Sequence, residues 1–280
     1  MREISATELA KAVGKLIIMA SCKLPKSVTT ALEVARLHEP SKVAGEILGK
    51  LLENAQIAAT EAWPICQEIG QVVVFVDLGQ EVQIVGGDFN AAIQTGVAYG
   101  HKVGSLKKSV LAEPLFEREE ECATDAIIHL RMVEGDKVHL LLGLKGACAE
   151  NSSYFRVLDP SYGLLGVREK VLEAIRAISA QVCAPWVIGV GIGGNTEACC
   201  LLAKRAALRS VGSANQHPKY HALERDLLDA INQSGIGPEG FGGSTTALAV
   251  NVEWGPTHME SLPVAVNINC HAARSAQMIL

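Results

Sequence analysis

The sequence predicts a mixed α/β protein (α+β) of two lobes, in which an N-terminal helical layer precedes sheets that are flanked by helices. Three observations predict this class. Apolar residues recur at helical spacing through residues 5–61, and β-rich apolar runs follow from residue 72 onward. In residues 182–208 an apolar run enters a group of glycines and leaves as a helical pattern. That passage resembles a βαβ unit and predicts some parallel strand pairing.

Composition and charge restrict the class of protein and its partners. The chain has 280 residues, of which 49% are hydrophobic, so it can bury a substantial core. The formal net charge is −5 and the largest basic cluster is the Lys107–Lys108 pair, which argues against nucleic acid and membrane surfaces as partners. No apolar run reaches the ~18 residues of a membrane span, and the N-terminus does not begin a signal peptide. Eight cysteines in such a chain are expected to be thiols or metal ligands, and the protein to be cytoplasmic.

The N-terminal layer is predicted to contain three helices. Ser5 and Glu8 have the spacing of a capping box, and Pro25 and Pro40 stand where a second and a third helix would begin. The third helix carries one apolar stripe, formed by Val43, Ile47, Leu51 and Ala55. These helices are interpreted as a packing layer.

The later elements follow from alternating strand and helix patterns. We expect a strand over 72–76, a helix over 89–102, a hairpin over 125–144 with its turn at 134–136, and a polar loop over 145–153. Further helices are expected over 167–182 and 218–234. Two strands, over 245–254 and 262–269, complete the chain and are joined by Gly255-Pro-Thr-His258.

Four glycines between a strand and a helix mark the centre of the chain. Gly189, Gly191, Gly193 and Gly194 are predicted to form a loop that places the start of the next helix, opened by Asn195, near an anion. Three of them satisfy G-x-G-x-x-G, but no strand ending in an acidic residue follows about twenty positions later, so a Rossmann dinucleotide site is not predicted.

The cysteines carry no spacing signal of their own. No C-x-x-C pair occurs, which excludes zinc ribbons, thioredoxin-like motifs and ferredoxin runs. Cys66, Cys183 and Cys270 differ from the others because each stands at the end of a predicted element, beside polar residues, proline or glycine. Taken alone, each would be more often structural than a ligand.

Cys66, Cys183 and Cys270 each lie in one of six short motifs that occur in a fixed order along the chain. CQEIG (66–70), KGACAEN (145–151), CAPWVIGVGIGGNTE (183–197), GIGPEGFGG (235–243), GPTH (255–258) and LPVAVNINCHAAR (262–274) occur in this order. From about residue 40 onward the chain resembles the α-subunit of the class I, iron–sulfur-dependent fumarate hydratase/tartrate dehydratase family. The resemblance implies that residues 1–280 form the α-type catalytic domain of that family, in one or two lobes.

The resemblance also implies a site. Cys66, Cys183 and Cys270 would hold a [4Fe–4S] cluster, and their sulfurs would then converge to within about 6 to 7 Å of one another, next to a cavity lined by the glycine loop and His258. Gln67, Lys107 and Gly146 would bind the substrate, and His258 and Glu68 would be catalytic.

The function implied is that of a hydro-lyase subunit, which hydrates or dehydrates a C4-type dicarboxylate. Fumarate/malate is the expected pair, with tartrate or a methylated analogue as alternatives, because the family's usual Asp-Thr is Glu68-Ile69 here and its arginine is Lys107. Expected partners are the β-subunit of the same hydratase and a second α chain. One alternative is a subunit that binds a cluster or a dicarboxylate but has lost catalysis, and a weaker one is a nucleotide-binding enzyme.

Overall fold

The structure is a computed structural model that describes residues 1–116, 121–122, 125–178 and 181–280. Along the chain the elements are β1 (Arg2–Ser5), α1 (Ala6–Cys22), α2 (Lys26–His38), α3 (Lys42–Glu61), β2 (Gln71–Gly79), β3 (Val82–Val85), α4 (Phe89–Val103), β4 (Val110–Leu111), β5 (Glu121–Cys122), β6 (Ile127–Val133), β7 (Val138–Lys145), α5 (Ala147–Glu150), β8 (Tyr154–Leu158), α6 (Gly163–Ile178), β9 (Trp186–Gly194), α7 (Thr196–Ala207), α8 (Pro218–Asn232), β10 (Ala247–Thr257), β11 (Leu262–Asn269) and β12 (Ser275–Ile279). Helices and mixed sheets confirm the predicted fold class.

The chain divides into two compact units. The first unit contains Met1–Pro25, Asn54–Ala147 and Arg274–Leu280, and the second contains Lys26–Glu53 and Cys148–Ala273. Each unit has its own four-stranded sheet. The predicted lobes are thus present, and the N-terminal helical layer is shared between them. None of the helices in the described ranges is long and apolar enough to cross a membrane.

The first unit is built on a sheet with the strand order β12-β7-β2-β6. Helices α1 and α4 pack against each other so closely that a Cβ on Gly96 would lie 2.5 Å from the Ala10 carbonyl oxygen. The core of this unit joins those helices to the sheet, with Leu16, Ile17, Val74, Ile93 and Leu142 essentially inaccessible to solvent. Glycine at a helix crossing is favoured here because it permits backbone contact.

The hairpin predicted over 125–144 is wrong. Strands β6 and β7 both exist, but β2 lies between them, parallel to β6 and antiparallel to β7. The turn residues instead bind the end of β2, since the Gly135 carbonyl accepts from Glu81 N at 3.0 Å and the Lys137 carbonyl from Gly79 N at 2.8 Å. A Glu-Gly-Asp turn can join strands that pair with each other or strands that another strand separates. Here β2 lies between β6 and β7, so the two strands do not pair.

The second unit is built on a sheet with the strand order β10-β9-β11-β8. Strand β10 is parallel to β9, as the sequence predicted, and β11 is antiparallel to both β9 and β8. One face packs on α6 and α8 in a large apolar cluster that includes the fully buried Trp186, and the other face packs on α7 through Cys199, Ala203 and Ala265. The sheet is therefore flanked by helices on both faces.

The four glycines predicted as a loop all lie in β9. Gly189 and Gly191 lie inside β9, and a Cβ on them would stand 2.1 Å from the carbonyl oxygens of Ala203 and Cys199 in α7. Only Gly193 and Gly194 turn, with φ values of +90° and +70°. The absent side chains thus let a helix rest on the sheet, a contact that a sequence pattern does not reveal.

Helix boundaries follow the sequence signals closely. Ser5 caps α1 by accepting from Glu8 N at 3.1 Å, and Asn195 caps α7 by accepting from Ala198 N at 2.9 Å. Helix α6 begins at Gly163, earlier than predicted, because Pro160–Tyr162 already forms a 3₁₀ turn that leads into it. The sequence did not predict β8 or β12, which pair with β11 and β7.

Candidate functional site

The segment that carries Cys66 lies between α3 and β2 in the first unit. Its start is held by two hydrogen bonds, from Ile65 N to the Ser21 carbonyl at 2.9 Å and from Asn54 Nδ2 to the Ile65 carbonyl at 3.0 Å. Its end is fixed by the buried Ile69 and by Gly70, which has a φ of +78°. Between these anchors Cys66 stays partly exposed.

Glu68 and Gly146, two of the predicted site residues, lie next to each other. The Glu68 carboxylate accepts from Ala147 N at 3.2 Å, and a Cβ on Gly146 would lie 3.2 Å from Glu68 Cγ. The buried Arg274 donates through Nη1 to the Glu68 carbonyl. Because Gly146 has no side chain, the Glu68 side chain can pack beside the end of β7.

A cavity of about 490 Å³ in the first unit contains two of the three predicted substrate-binding residues, Gln67 and Lys107, whereas Gly146 is not among its lining residues. It is lined by Gln67, Glu68, Lys107, Lys108, Ser109 and Leu111. The cavity thus offers two ammonium groups, an amide and a hydroxyl that can bind a carboxylate, and the Glu68 carboxylate adds a proton acceptor. Gln67, the residue that follows Cys66 in sequence, thus lines a polar cavity.

The second unit brings Cys183 and Cys270 together. Cys183 follows α6 and precedes β9, whereas Cys270 follows β11, whose last residue Asn269 is opposite Val187. His271 N donates to the Cys183 carbonyl at 3.2 Å, which fixes the two segments side by side. Cys66 belongs to the first unit, so the convergence of all three sulfurs stays a prediction.

A carboxylate lies next to these thiols. Glu239 and Cys183 line a cavity of about 660 Å³, and Glu239 Oε1 lies 3.4 Å from His271 Nε2. Partial burial of the sulfur, followed by the Glu239 carboxylate and the neighbouring Cys270 and Cys148, raises the pKa of Cys183 to about 12. Burial likewise raises the pKa of Glu239.

This donor set fits an iron–sulfur centre. Thiolates are the ligands that such clusters use, and two thiols beside a carboxylate repel one another when they ionise unless cations lie among them. Within the described ranges no three His, Cys, Asp or Glu side chains form a group that could hold a single metal ion. The ligands of a four-iron cluster lie farther apart than those of a single ion. Cys66 would be the third thiol ligand, beside Cys183 and Cys270.

His258 does not join Cys183 and Cys270. It follows β10, where the Thr257 hydroxyl donates to the Gly194 carbonyl at 3.1 Å, so it lies beside the glycine turn at the far end of β9. The nine residues of β9 span about 26 Å. The predicted cavity lined jointly by cysteines, glycine turn and His258 is therefore not formed within the second unit. The ring of His258 is exposed, and its Nδ1 accepts from Glu260 N at 3.2 Å.

Several residues of the site were not singled out by sequence reasoning. Lys108 and Ser109 line the substrate cavity, Arg274 supports Glu68, and Glu239 and His271 adjoin Cys183. The signal available for Glu239 was its place among glycines, where a charged residue without a packing role is unusual. Lys108 adjoins Lys107, and such a pair is more often an exposed surface feature.

Comparisons with known proteins cover nearly the whole chain. The family model described as fumarate hydratase (Fumerase) matches residues 10–279. A protein of Methanocaldococcus jannaschii, provisionally named as an L(+)-tartrate dehydratase subunit alpha, is 33% identical over 277 residues, which is 96% of each chain. The L(+)-tartrate dehydratase subunit alpha of Escherichia coli O157:H7 is 25% identical over 282 residues, covering 100% of this chain and 93% of its own. These matches confirm the family predicted from the sequence motifs, and the chain belongs to the fumarate hydratase (Fumerase) family.

Proposed function

We propose that this chain is the α-type catalytic subunit of an iron–sulfur hydro-lyase that adds water to, or removes it from, a C4 dicarboxylate. The proposal rests on one observation above the others. In a chain of this family, the polar cavity that contains Gln67, Glu68 and Lys107 opens directly after Cys66. Residues 1–280 would form one catalytic domain of two lobes, and the thiol ligands would suit a reducing, cytoplasmic setting.

Cys66, Cys183 and Cys270 would hold a [4Fe–4S] cluster, which supplies a Lewis-acidic iron that polarises the C–O bond to be broken. The rest of the chemistry falls to the chain itself. Lys107 would bind one substrate carboxylate as a point charge, and Gln67 would donate its amide N–H groups to the substrate. Glu68, held by Ala147 N, would accept or return the proton at the neighbouring carbon.

Fumarate/malate is the first substrate pair to test, and tartrate is the second because relatives carry that name. Lys107 gives a single charge where a guanidinium would clamp both carboxylate oxygens, so weaker orientation of the substrate is expected. The name "subunit alpha" of the relatives supports a β-subunit as the partner that completes the site.

His258 would act from a second copy of the chain. It lies about 26 Å from the Cys183 end of β9 within its own unit, a distance that no side chain bridges. Pairing of two α chains could bring the exposed ring of each to the cysteine site of the other. Mixing His258→Ala chains with Cys183→Ser chains should then restore activity that neither has alone, whereas two inactive populations that stay inactive when mixed would contradict this arrangement.

Anaerobic reconstitution of the α chain together with its β-subunit tests the function as a whole. Wild type should take up iron and sulfide and turn over fumarate, malate or tartrate. Cys66→Ser, Cys183→Ser and Cys270→Ser should each lose the cluster absorbance, and Cys200→Ser, which changes an exposed cysteine of α7, should retain it. A complete cluster with no turnover of any dicarboxylate would instead support the non-catalytic subunit, and absence of a cluster would refute the iron–sulfur hydro-lyase.

A further inference from the structure

The Glu239 carboxylate lies beside Cys183, one of the proposed cluster ligands. The Glu239 side chain is 28% exposed, and it shares the 660 Å³ cavity with Cys183. The Glu239 carboxylate is hydrogen-bonded to the Cys183 thiol, but its Oε1 atom is buried and has no hydrogen-bond partner. His271 Nε2 lies 3.4 Å from Oε1 without the geometry of a hydrogen bond. A buried carboxylate oxygen without a donor is costly, so a cation is the partner that this position lacks.

The backbone at Glu239 is held in a conformation that disfavours any side chain. Its φ is +51° and its ψ is +20°, which is the left-handed region that glycine occupies freely. The conformation is enforced by neighbours: Glu239 N donates to the Ala184 carbonyl at 3.0 Å, and a Cβ on Gly237 would lie 1.9 Å from the Gly242 carbonyl oxygen. Glycine would serve this loop better, so the presence of a glutamate points to a use for its carboxylate.

We propose that the Glu239 carboxylate is a fourth protein ligand of the iron–sulfur cluster in the absence of substrate. This inference rests on the proposed function. Three cysteines leave one iron without a protein ligand, and that iron is the one lost first on oxidation. The Glu239 carboxylate would bind that iron through an oxygen, and a bound substrate would displace it. The carboxylate would thus protect the cluster between turnovers.

Oxidative loss of iron tests this role without measuring turnover. One-electron oxidation by ferricyanide converts [4Fe–4S]²⁺ to [3Fe–4S]⁺ and releases one Fe²⁺, which is followed by electron paramagnetic resonance and by a chromogenic chelator. With no substrate present, Glu239→Gln and Glu239→Gly should lose this iron about tenfold faster than wild type. Glu239→Gly also relieves the left-handed strain, so its loss of iron would not reflect a weakened loop. Glu173→Gln, which changes an exposed carboxylate of α6, is the matched control and should behave as wild type.

The outcomes separate this role from the function on which it rests. A wild-type chain that assembles no cluster overturns the proposed function and the ligand role together. A cluster that assembles in wild type and in both variants, with equal rates of iron loss, overturns the ligand role alone. We expect both Glu239 variants to lose iron faster than wild type in the absence of substrate, and this difference to disappear once malate is bound. The Glu173→Gln protein should lose iron at the wild-type rate.

Discussion

Replacing Gly189 by alanine tests the contact between β9 and α7 on which the second unit depends. A Cβ at this position would lie 2.1 Å from the Ala203 carbonyl oxygen and 2.2 Å from Ala207 N. Both are backbone atoms, so a rotamer change cannot relieve the clash, and the helix must move away from the sheet by more than 1 Å. Overpacking that side chains can absorb costs about 1 to 3 kcal/mol, so we expect Gly189→Ala to cost at least ~3 kcal/mol of unfolding free energy.

Thermal and urea unfolding followed by circular dichroism measure this cost. For a unit of this size, each kcal/mol corresponds to about 2 to 4 °C, so the Tm should fall by about 6 to 12 °C. Gly255→Ala is the matched control, because it lies in β10 of the same sheet and its Cβ would meet only Leu202 Cδ1, at 3.6 Å. A Gly189→Ala protein whose Tm equals that of Gly255→Ala would refute the packing of α7 directly on this strand.

Two further predictions concern the second unit. Burial raises the pKa of Glu39, but hydrogen bonds from Ser244 N, Ser244 Oγ and Ser41 N outweigh it and hold that pKa below 4.5. A depressed native pKa means that this stabilisation is complete above the unfolded value of ~4.3 and is lost as the pH falls through the native pKa. Glu39→Gln should therefore cost about 1 to 3 kcal/mol at neutral pH and progressively less below about pH 4 in urea unfolding; a difference independent of pH would contradict this. Asn195→Ala should cost about 1 kcal/mol by removing the cap of α7, whereas Asn195→Asp should cost little; equal losses in thermal unfolding would show that the cap is not responsible.

Local signals in the sequence predicted most of the elements. The caps at Ser5 and Asn195 and the proline before α2 are short-range features, and each one marks a helix start where the structure has it. The failures involve partners distant in sequence. Residues 125–144 contain two strands and a turn, but β2 separates the strands, and nothing in the turn itself records that insertion.

The candidate site divides in the same way between local and distant information. Gln67 and Glu68, which lie between α3 and β2, share a cavity with Lys107, which lies between α4 and β4. His258 was expected near the cysteines because the family resemblance implied a shared site, yet the parallel pairing of β10 with β9 places it at the opposite end of β9 from Cys183. Glu239 escaped notice because its importance depends on a left-handed backbone and on Cys183, which precedes it by 56 positions.

Iron-edge anomalous diffraction from the anaerobically reconstituted α chain with its β-subunit tests the central claim most directly. The account predicts one group of iron peaks whose protein ligands include the Sγ atoms of Cys66, Cys183 and Cys270, each about 2.3 Å from an iron. Iron bound instead through Cys148, Cys199 or Cys200, or a fully folded complex with no iron near Cys183 and Cys270, would contradict it.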